Sequence, residues 1–323
     1  MLAATAVRLD PDDPLAGLHI GEHADPAPRE GWATVRLRAS SLNHHDIWSL
    51  RGVGLPEDRL PMVLGCDGAG VDEDGAEVVV HAVVSDPDYR GDETLDPKRS
   101  LLSERYDGTL ADLVLVPRRN LVPKPAGLTF EEAACLPTAW LTAYRMLFTQ
   151  AGVQPGSTVL VQGAGGGVAT ALVALGRATG VRMWVTSRDE AKRGRALDLG
   201  ADQAFEAGAR LPERVDAVME TVGAATWEHS LKALRQGGTV VVTGATGGHQ
   251  AVTDLRRVFF LQQRIVGSTM GTRDELERLL RLLAATGVRP VIDSVLPLEE
   301  ATEGFRRLAG GDVFGKIVLT RPA

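Results

Sequence analysis

Two short stretches carry residue types that could do chemistry. The first is the glycine cluster in TVLVQGAGGGVATALVALG, which follows an apolar run at 158–162 and opens a stretch of helical periodicity. A pyrophosphate needs backbone N–H groups at a helix N-terminus and no side chains in the way, and a strand entering a helix through such a cluster supplies both. Read from Gly163, the third glycine position falls on Val168. Read from Ala164, the pattern is Ala164, Gly166 and Ala169, small at all three places, and this register is preferred. A glycine-rich turn alone would also serve as a plain structural loop; its setting between a strand and a helix favours the dinucleotide. The second stretch, SLNHHD (41–46), sets an amide, two imidazoles and a carboxylate side by side. Asn43 has N–H donors to offer, and a histidine can exchange a proton near neutral pH. The same residues would equally cap a helix beginning at Asp46, with the histidines in solvent.

The strand after the glycine cluster decides which nicotinamide cofactor suits the site. A carboxylate at its end would bind a ribose 2′-hydroxyl and repel a 2′-phosphate. Here the strand runs Arg182 to Thr186 and is followed by Ser187 and Arg188. Ser187 can hydrogen-bond a phosphate, while Arg188 and Lys192 can neutralise it, so NADP(H) is the expected cofactor. Asp189 weakens that choice slightly, and the two cations could instead decorate an exposed helix start.

These groups need a framework. At 323 residues the chain suits two domains. Strand-like runs at 32–42 and 76–84, separated by Gly, Pro and Asp clusters, indicate a β-rich first portion. From Thr129 the stretch FEEAACLPTAWLTAYRMLFTQAG reads as a helix stopped by Gly152, with Pro137 as a kink. Strands and helices then alternate: a helix at 170–179, a second at 189–199, strands at 216–222 and 238–244, and helical SLKALRQ and DELERLLRLLAATG, the rhythm of a parallel sheet with covering helices. VIDSVLPL and GKIVLT near the end are strand-like and suit a return to the first lobe. The segment 86–105 reads as a polar, mobile loop.

A net charge of −7 argues against nucleic acid or an anionic membrane as partner, and no apolar run is long enough to span a bilayer. The N-terminus lacks a signal-peptide pattern, so a cytoplasmic protein acting on a small molecule is expected. Cys66 and Cys135 stand alone, outside any CxxC. Cys66, Asp67 and the two histidines could in principle form an atypical metal site, although Cys66 between glycines reads more simply as a small packed residue. Trp48 and Trp140 suit either an apolar pocket or the core.

Taken in order, SLNHHD, LGCDGAG (64–70), DGTLADLVLVP (107–117), EEAACLPTAWLTAY (131–144), the glycine cluster, RIVGSTMG (264–271) and GKIVL (315–319) resemble the medium-chain dehydrogenase/reductase superfamily along nearly the whole chain, in particular its zinc-independent, quinone-oxidoreductase-like members. The resemblance implies an α/β fold: a Rossmann doubly wound parallel sheet at 125–286, plus a β-rich GroES-like catalytic domain built from 1–124 and 287–323, with an active cleft where they join. It implies a homodimer through edge strands near 264–270. It carries backbone contacts to the nicotinamide onto Gly244 and Met270, pyrophosphate contacts onto Gly166, Gly167 and Val168 beside Ala164, and further cofactor contacts onto His44, Thr138 and Lys316. His45 falls where zinc alcohol dehydrogenases keep the hydroxyl of a proton relay, so Asn43, His45 and Asp46 are the catalytic candidates. The catalytic zinc positions fall on Asn43, Cys66 and Thr138, a poor donor set, and the segment 86–105 lacks the four cysteines of a structural zinc, so no metal is expected. The implied activity is NADPH-dependent hydride transfer to a conjugated enone, quinone or other carbonyl substrate. An alcohol dehydrogenase with an atypical metal site and a non-catalytic NADPH-binding protein are the alternatives.

Overall fold

The computed structural model describes residues 1–321. The chain divides into two compact units: residues 1–141 with 270–285 and the chain from 292 onward, and residues 142–269 with 286–291. The segments 125–141 and 270–285, expected in the dinucleotide-binding part, group with the first unit instead.

In the first unit the strand Trp32–Ser41 alternates inward and outward side chains over its first half, the period of a half-buried strand. It pairs antiparallel with Asp67–Asp72 on one side; on the other it pairs antiparallel with Leu113–Pro117 along its first half and with the C-terminal strand Lys316–Thr320 along its last three residues. That last strand runs parallel to Ile292–Pro297, so the end of the chain does return to the first lobe. Close backbone approach explains Gly70, where a Cβ would lie 2.1 Å from the Arg36 carbonyl oxygen. Leu42, Leu64, Leu110, Phe305 and Leu319 form one buried cluster, and Val35, Leu37, Val80 and Val114 belong to another. Each such side chain contributes about 1.5–3 kcal/mol by leaving water.

The segment 86–105 is folded rather than a loose loop. Asp96, buried, accepts hydrogen bonds from the N–H groups of Asp86 (2.7 Å) and Lys98 (2.8 Å), and Ser100–Leu101 pairs with Val83–Val84. The carboxylates that made it look polar are local turn formers.

Six parallel strands make the sheet of the second unit, in spatial order Gln203–Glu206, Arg182–Ser187, Thr158–Gln162, Val215–Glu220, Leu234–Val242 and Arg264–Gly267. This is the order of a doubly wound sheet, and the direction of winding reverses between Thr158–Gln162 and Val215–Glu220, where ligands bind beyond the carboxyl ends. Thr158–Gln162 is buried throughout, as helices on both faces require. Leu160, Trp184, Val218, Leu231 and Val240 share its core. Residues 234–236, read above as helical, begin a strand instead: the helix ends at Ala233, and the following Gly237 takes a positive φ of 70°.

The stretch from Thr129 starts as expected, with a reciprocal cap in which Thr129 Oγ1 accepts from the Glu132 N–H (3.2 Å) and Glu132 Oε2 from the Thr129 N–H (3.0 Å). It is not one kinked helix. A short α-helix, Phe130–Ala134, passes into π-helical turns at Leu136–Trp140 and Arg145–Gln150, separated by Leu141–Tyr144. Pro137 has no N–H for the regular ladder, and a wider turn accommodates it. Among the described residues no helix is long and apolar enough to cross a membrane.

Candidate functional site

The stretch SLNHHD leaves the end of strand Trp32–Ser41 and opens the helix His44–Leu50, with Asn43 as N-cap. The helix therefore begins two residues earlier than Asp46. Asp46 Oδ2 accepts from the Asn43 N–H at 2.8 Å, one half of a capping box. The Asn43 side chain also reaches inward. Its Nδ2 donates to Asp67 Oδ2 (2.8 Å) and toward the Ser41 carbonyl (3.4 Å), and its Oδ1 accepts from Lys316 Nζ (2.5 Å). Both amide hydrogens are thus engaged by the protein, and Asn43 positions its neighbours rather than offering a donor outward.

Asp46 is fully buried, and burial pushes its pKa up to about 6 against the opposing pull of His45, the Asn43 N–H and Lys316. Its place is at the start of the helix, not open to a reactant. Lys316, expected at the cofactor, is turned to the protein instead. Its ammonium donates to the Leu42 carbonyl (2.7 Å), to Asn43 Oδ1 and to Asp67 Oδ2 (3.1 Å), which uses its three donors and leaves none for a cofactor. Asp67, buried, also accepts from Ser41 Oγ at 2.7 Å, so its pairing with Lys316 is hydrogen-bonded from several sides.

His45 sits differently. Its Nε2 lies 3.3 Å from Glu104 Oε1 and its Nδ1 3.4 Å from Cys66 Sγ, and the ring is partly accessible. Burial works against charge on this ring, but Cys66, Glu104 and Asp46 outweigh it and raise its pKa well above the ordinary value. Burial also raises the pKa of the Cys66 thiol, which donates to the Leu102 carbonyl at 3.2 Å, and the Glu104 carboxylate is the second acidic partner that favours the proton on His45. Glu104 is itself fixed by the Leu101 N–H (2.9 Å). Nothing in sequence spacing pointed to it, because it comes from the segment taken for a mobile loop. His44 is exposed, and partial burial together with the Lys316 charge lowers its pKa, so it is neutral near pH 7.

These donors do not fit a catalytic zinc. Cys66 faces His45 as a thiol, Asp67 faces the Lys316 ammonium, and the Thr138 hydroxyl is buried without a hydrogen-bond partner. Among the described residues no three His, Cys, Asp or Glu side chains converge to hold a metal ion. Trp140 is fully buried core, and Trp48 is half-buried beneath Arg51 at 5.4 Å.

In the second unit the strand Thr158–Gln162 ends at Gly163, whose φ of 86° suits glycine, and Gly166 caps the helix Gly167–Ala178. The first bond of the helix runs from the Thr170 N–H to the Gly166 carbonyl (3.0 Å), so the N–H groups of Gly167, Val168 and Ala169 precede the helical ladder, and a Cβ on Gly166 would meet open space. Ala164 and Ala169 are buried, as the preferred register requires of its first and third positions. A pyrophosphate fits this turn. At the end of the next strand Ser187 Oγ accepts from the Asp189 N–H (3.1 Å), and Asp189 Oδ1 from the Lys192 N–H (3.1 Å). The Asp189 carboxylate therefore caps its own helix. Arg188 is exposed beside it, and Arg193, overlooked in the sequence, donates to the Ser187 carbonyl at 2.7 Å. Gly244 follows Leu234–Val242, and a Cβ there would strike the Thr221 carbonyl oxygen at 2.5 Å. Met270 belongs to the first unit, has a φ of 50° and packs with Cys66, Ala82 and Val83.

Comparison with known proteins agrees with this architecture. Residues 29–126 match the family model of the alcohol dehydrogenase GroES-like domain, and residues 195–319 that of zinc-binding dehydrogenases. The acryloyl-coenzyme A reductase of Metallosphaera sedula is 30% identical over 94% of this chain and 96% of its own length. A structure described as an NAD-dependent alcohol dehydrogenase superposes with a TM-score of 0.92 at 35% identity, covering 100% of both chains. The 2-octenoyl-CoA carboxylase reductase CinF of a Streptomyces species, solved with NADP and 2-octenoyl-CoA, superposes with a TM-score of 0.91 at 26% identity, over 99% of this chain and 87% of its own.

Proposed function

Because the chain belongs to the medium-chain dehydrogenase/reductase superfamily, a family of oxidoreductases, we propose that it is an NADPH-dependent reductase of conjugated carbonyl compounds (enones, quinones or 2-enoyl thioesters) that works without a catalytic zinc. The observation that carries this reading is His45, held between Glu104 and Cys66, which raise its pKa, among side chains whose donors do not suit a metal. Bound NADPH would supply the hydride. The protein must then protonate the carbon or oxygen on which negative charge develops, and His45 is the partly accessible group that carries a proton at neutral pH. Asn43, Lys316 and Asp67 act beneath it as positioning residues, and Asp46 as a helix cap.

For the cofactor, the turn at Ala164, Gly166, Gly167 and Val168 would receive the pyrophosphate on its free N–H groups. Ser187, Arg188 and Lys192 would receive the 2′-phosphate, with Arg193 in support. Since Asp189 is turned to its own helix, no strand-end carboxylate repels that phosphate, which supports NADPH over NADH. Gly244 and Met270 would be backbone contacts of the nicotinamide, and His44 and Thr138 polar cofactor contacts. A homodimer through the strand Arg264–Gly267 is part of the same reading. That edge strand exposes Ile265, and the preceding helix exposes Phe259 and Phe260.

The test is NADPH consumption by the purified protein across 2-enoyl thioesters, enones, quinones and simple aldehydes, with metal content measured on the same sample. Turnover of at least one conjugated substrate by metal-free protein is expected. Turnover that needs stoichiometric zinc, or none with any substrate, would overturn the proposal.

A further inference from the structure

Beyond the groups that would touch a nucleotide, a buried chain of hydrogen bonds ties together the three strand ends that carry them. Its hub is Gln162, the last residue of Thr158–Gln162, immediately before Gly163. Gln162 Oε1 accepts from Thr186 Oγ1 at 2.6 Å, one residue before Ser187. Its Nε2 donates to His229 Nδ1 (2.9 Å) and to Ser230 Oγ (3.0 Å). Since His229 Nε2 must donate to the Ala209 carbonyl (2.9 Å), Nδ1 is left as the acceptor, and both Gln162 hydrogens are satisfied. Ser230 in turn donates to Glu220 Oε2 (2.5 Å). Glu220, buried at the end of the next strand, uses Oε1 to accept from the N–H groups of Val222 and Gly223, each at 2.9 Å. That fixes the turn whose Thr221 donates to the Gln162 carbonyl (3.0 Å) and whose carbonyl lies against Gly244.

We infer that Gln162 is a positioning residue of the dinucleotide site, setting the Ser187 end, the Gly163 turn and the Thr221 turn in one fixed relation. This rests on the NADPH reading above. A folded parallel sheet does not itself require such a link, because the strand ends are already paired through the backbone. What the link adds is rigidity of the side that faces a nucleotide, and a fully satisfied buried network is well suited to that. Its two arms have separable consequences. The Thr186 arm leads to the residues proposed for the 2′-phosphate, which NADH lacks, whereas the Ser230–Glu220 arm leads to the turn beside Gly244, which both nucleotides would use.

The experiment is fluorescence titration of wild type, Thr186→Val, Ser230→Ala and Gln162→Leu with NADPH and with NADH, each at a temperature where circular dichroism shows the variant folded. Thr186→Val should weaken NADPH by about three- to tenfold, the scale of one hydrogen bond, and NADH by clearly less. Ser230→Ala should weaken both nucleotides alike, and Gln162→Leu both by roughly tenfold or more with loss of NADPH preference. Affinities within twofold of wild type in Thr186→Val and Ser230→Ala, or an unchanged NADPH-to-NADH ratio in Thr186→Val despite a lower thermal midpoint, would overturn the inference and leave Gln162 a purely structural residue. Wild type that binds neither nucleotide would instead defeat the functional reading, and this inference with it.

Discussion

Replacing Asp46 by asparagine separates helix capping from catalysis and has a magnitude set by burial. The carboxyl is wholly enclosed, and its pKa rises from 3.8 to about 6. Below pH 3.8 the folded and unfolded chains both hold the proton. Between the two values only the folded chain does, so stability falls as pH rises, by 1.36 kcal/mol per pH unit, until the loss is complete just above pH 6. The whole loss is about 3 kcal/mol. Asparagine keeps an oxygen to accept from the Asn43 N–H (2.8 Å in wild type) and has no proton to lose. Urea unfolding of both proteins at pH 4, 5, 6 and 7 should therefore show Asp46→Asn gaining on wild type by about 3 kcal/mol across the range, while turnover with NADPH stays within a few-fold. Stability curves that run parallel in pH would refute the argument from burial. A loss of turnover of a hundredfold or more in a stable variant would return Asp46 to the catalytic set.

Glu104→Gln removes one of the acidic partners that raise the pKa of His45, so that pKa should fall. An acid is active only while protonated, so the decline of reductive kcat/KM with rising pH should move to lower pH in the variant, and an unshifted pH profile would deny His45 this role. The same pairing stabilises the fold below the unfolded histidine value of 6.5 and ceases to do so as pH rises through the folded value, so wild type should lose stability relative to Glu104→Gln at high pH. Arg188→Ala should weaken NADPH by about 1.5–3 kcal/mol, roughly ten- to a hundredfold, with NADH unchanged, measured by titration; equal loss of both would remove Arg188 from the 2′-phosphate site. Ile265→Asp combined with Phe260→Asp should convert a dimer to folded monomer in sedimentation velocity, whereas an unchanged dimer would place the interface elsewhere.

The parts of the fold that were legible in sequence are those written locally. The strand–glycine–helix succession at 158–178 and the reciprocal cap at Thr129 and Glu132 are short-range patterns, and the structure keeps them. The sequence alone misread what depends on distant partners. Whether Asn43 faces outward is decided by Asp67 and Lys316, the latter 273 residues away, and these draw its amide inward. Glu104 is 59 residues from His45, in a segment whose acids looked like surface decoration because its turns are built from the same residue type. Gln162 and Glu220 carry no motif at all. Their meaning lies in neighbouring parallel strands, an arrangement that local periodicity announces without specifying the side chains that meet across it.

The most direct test of the central claim follows the hydrogens. Reduction of a 2-enoyl thioester or enone by the protein with NADPH in heavy water should yield a saturated product with protium from NADPH at the β-carbon and deuterium at the α-carbon, read by NMR or mass spectrometry. That pattern requires hydride delivery to a conjugated system and a proton from a solvent-exchanging donor such as His45. Deuterium at the β-carbon, or reduction of the carbonyl alone to an alcohol, would contradict the account.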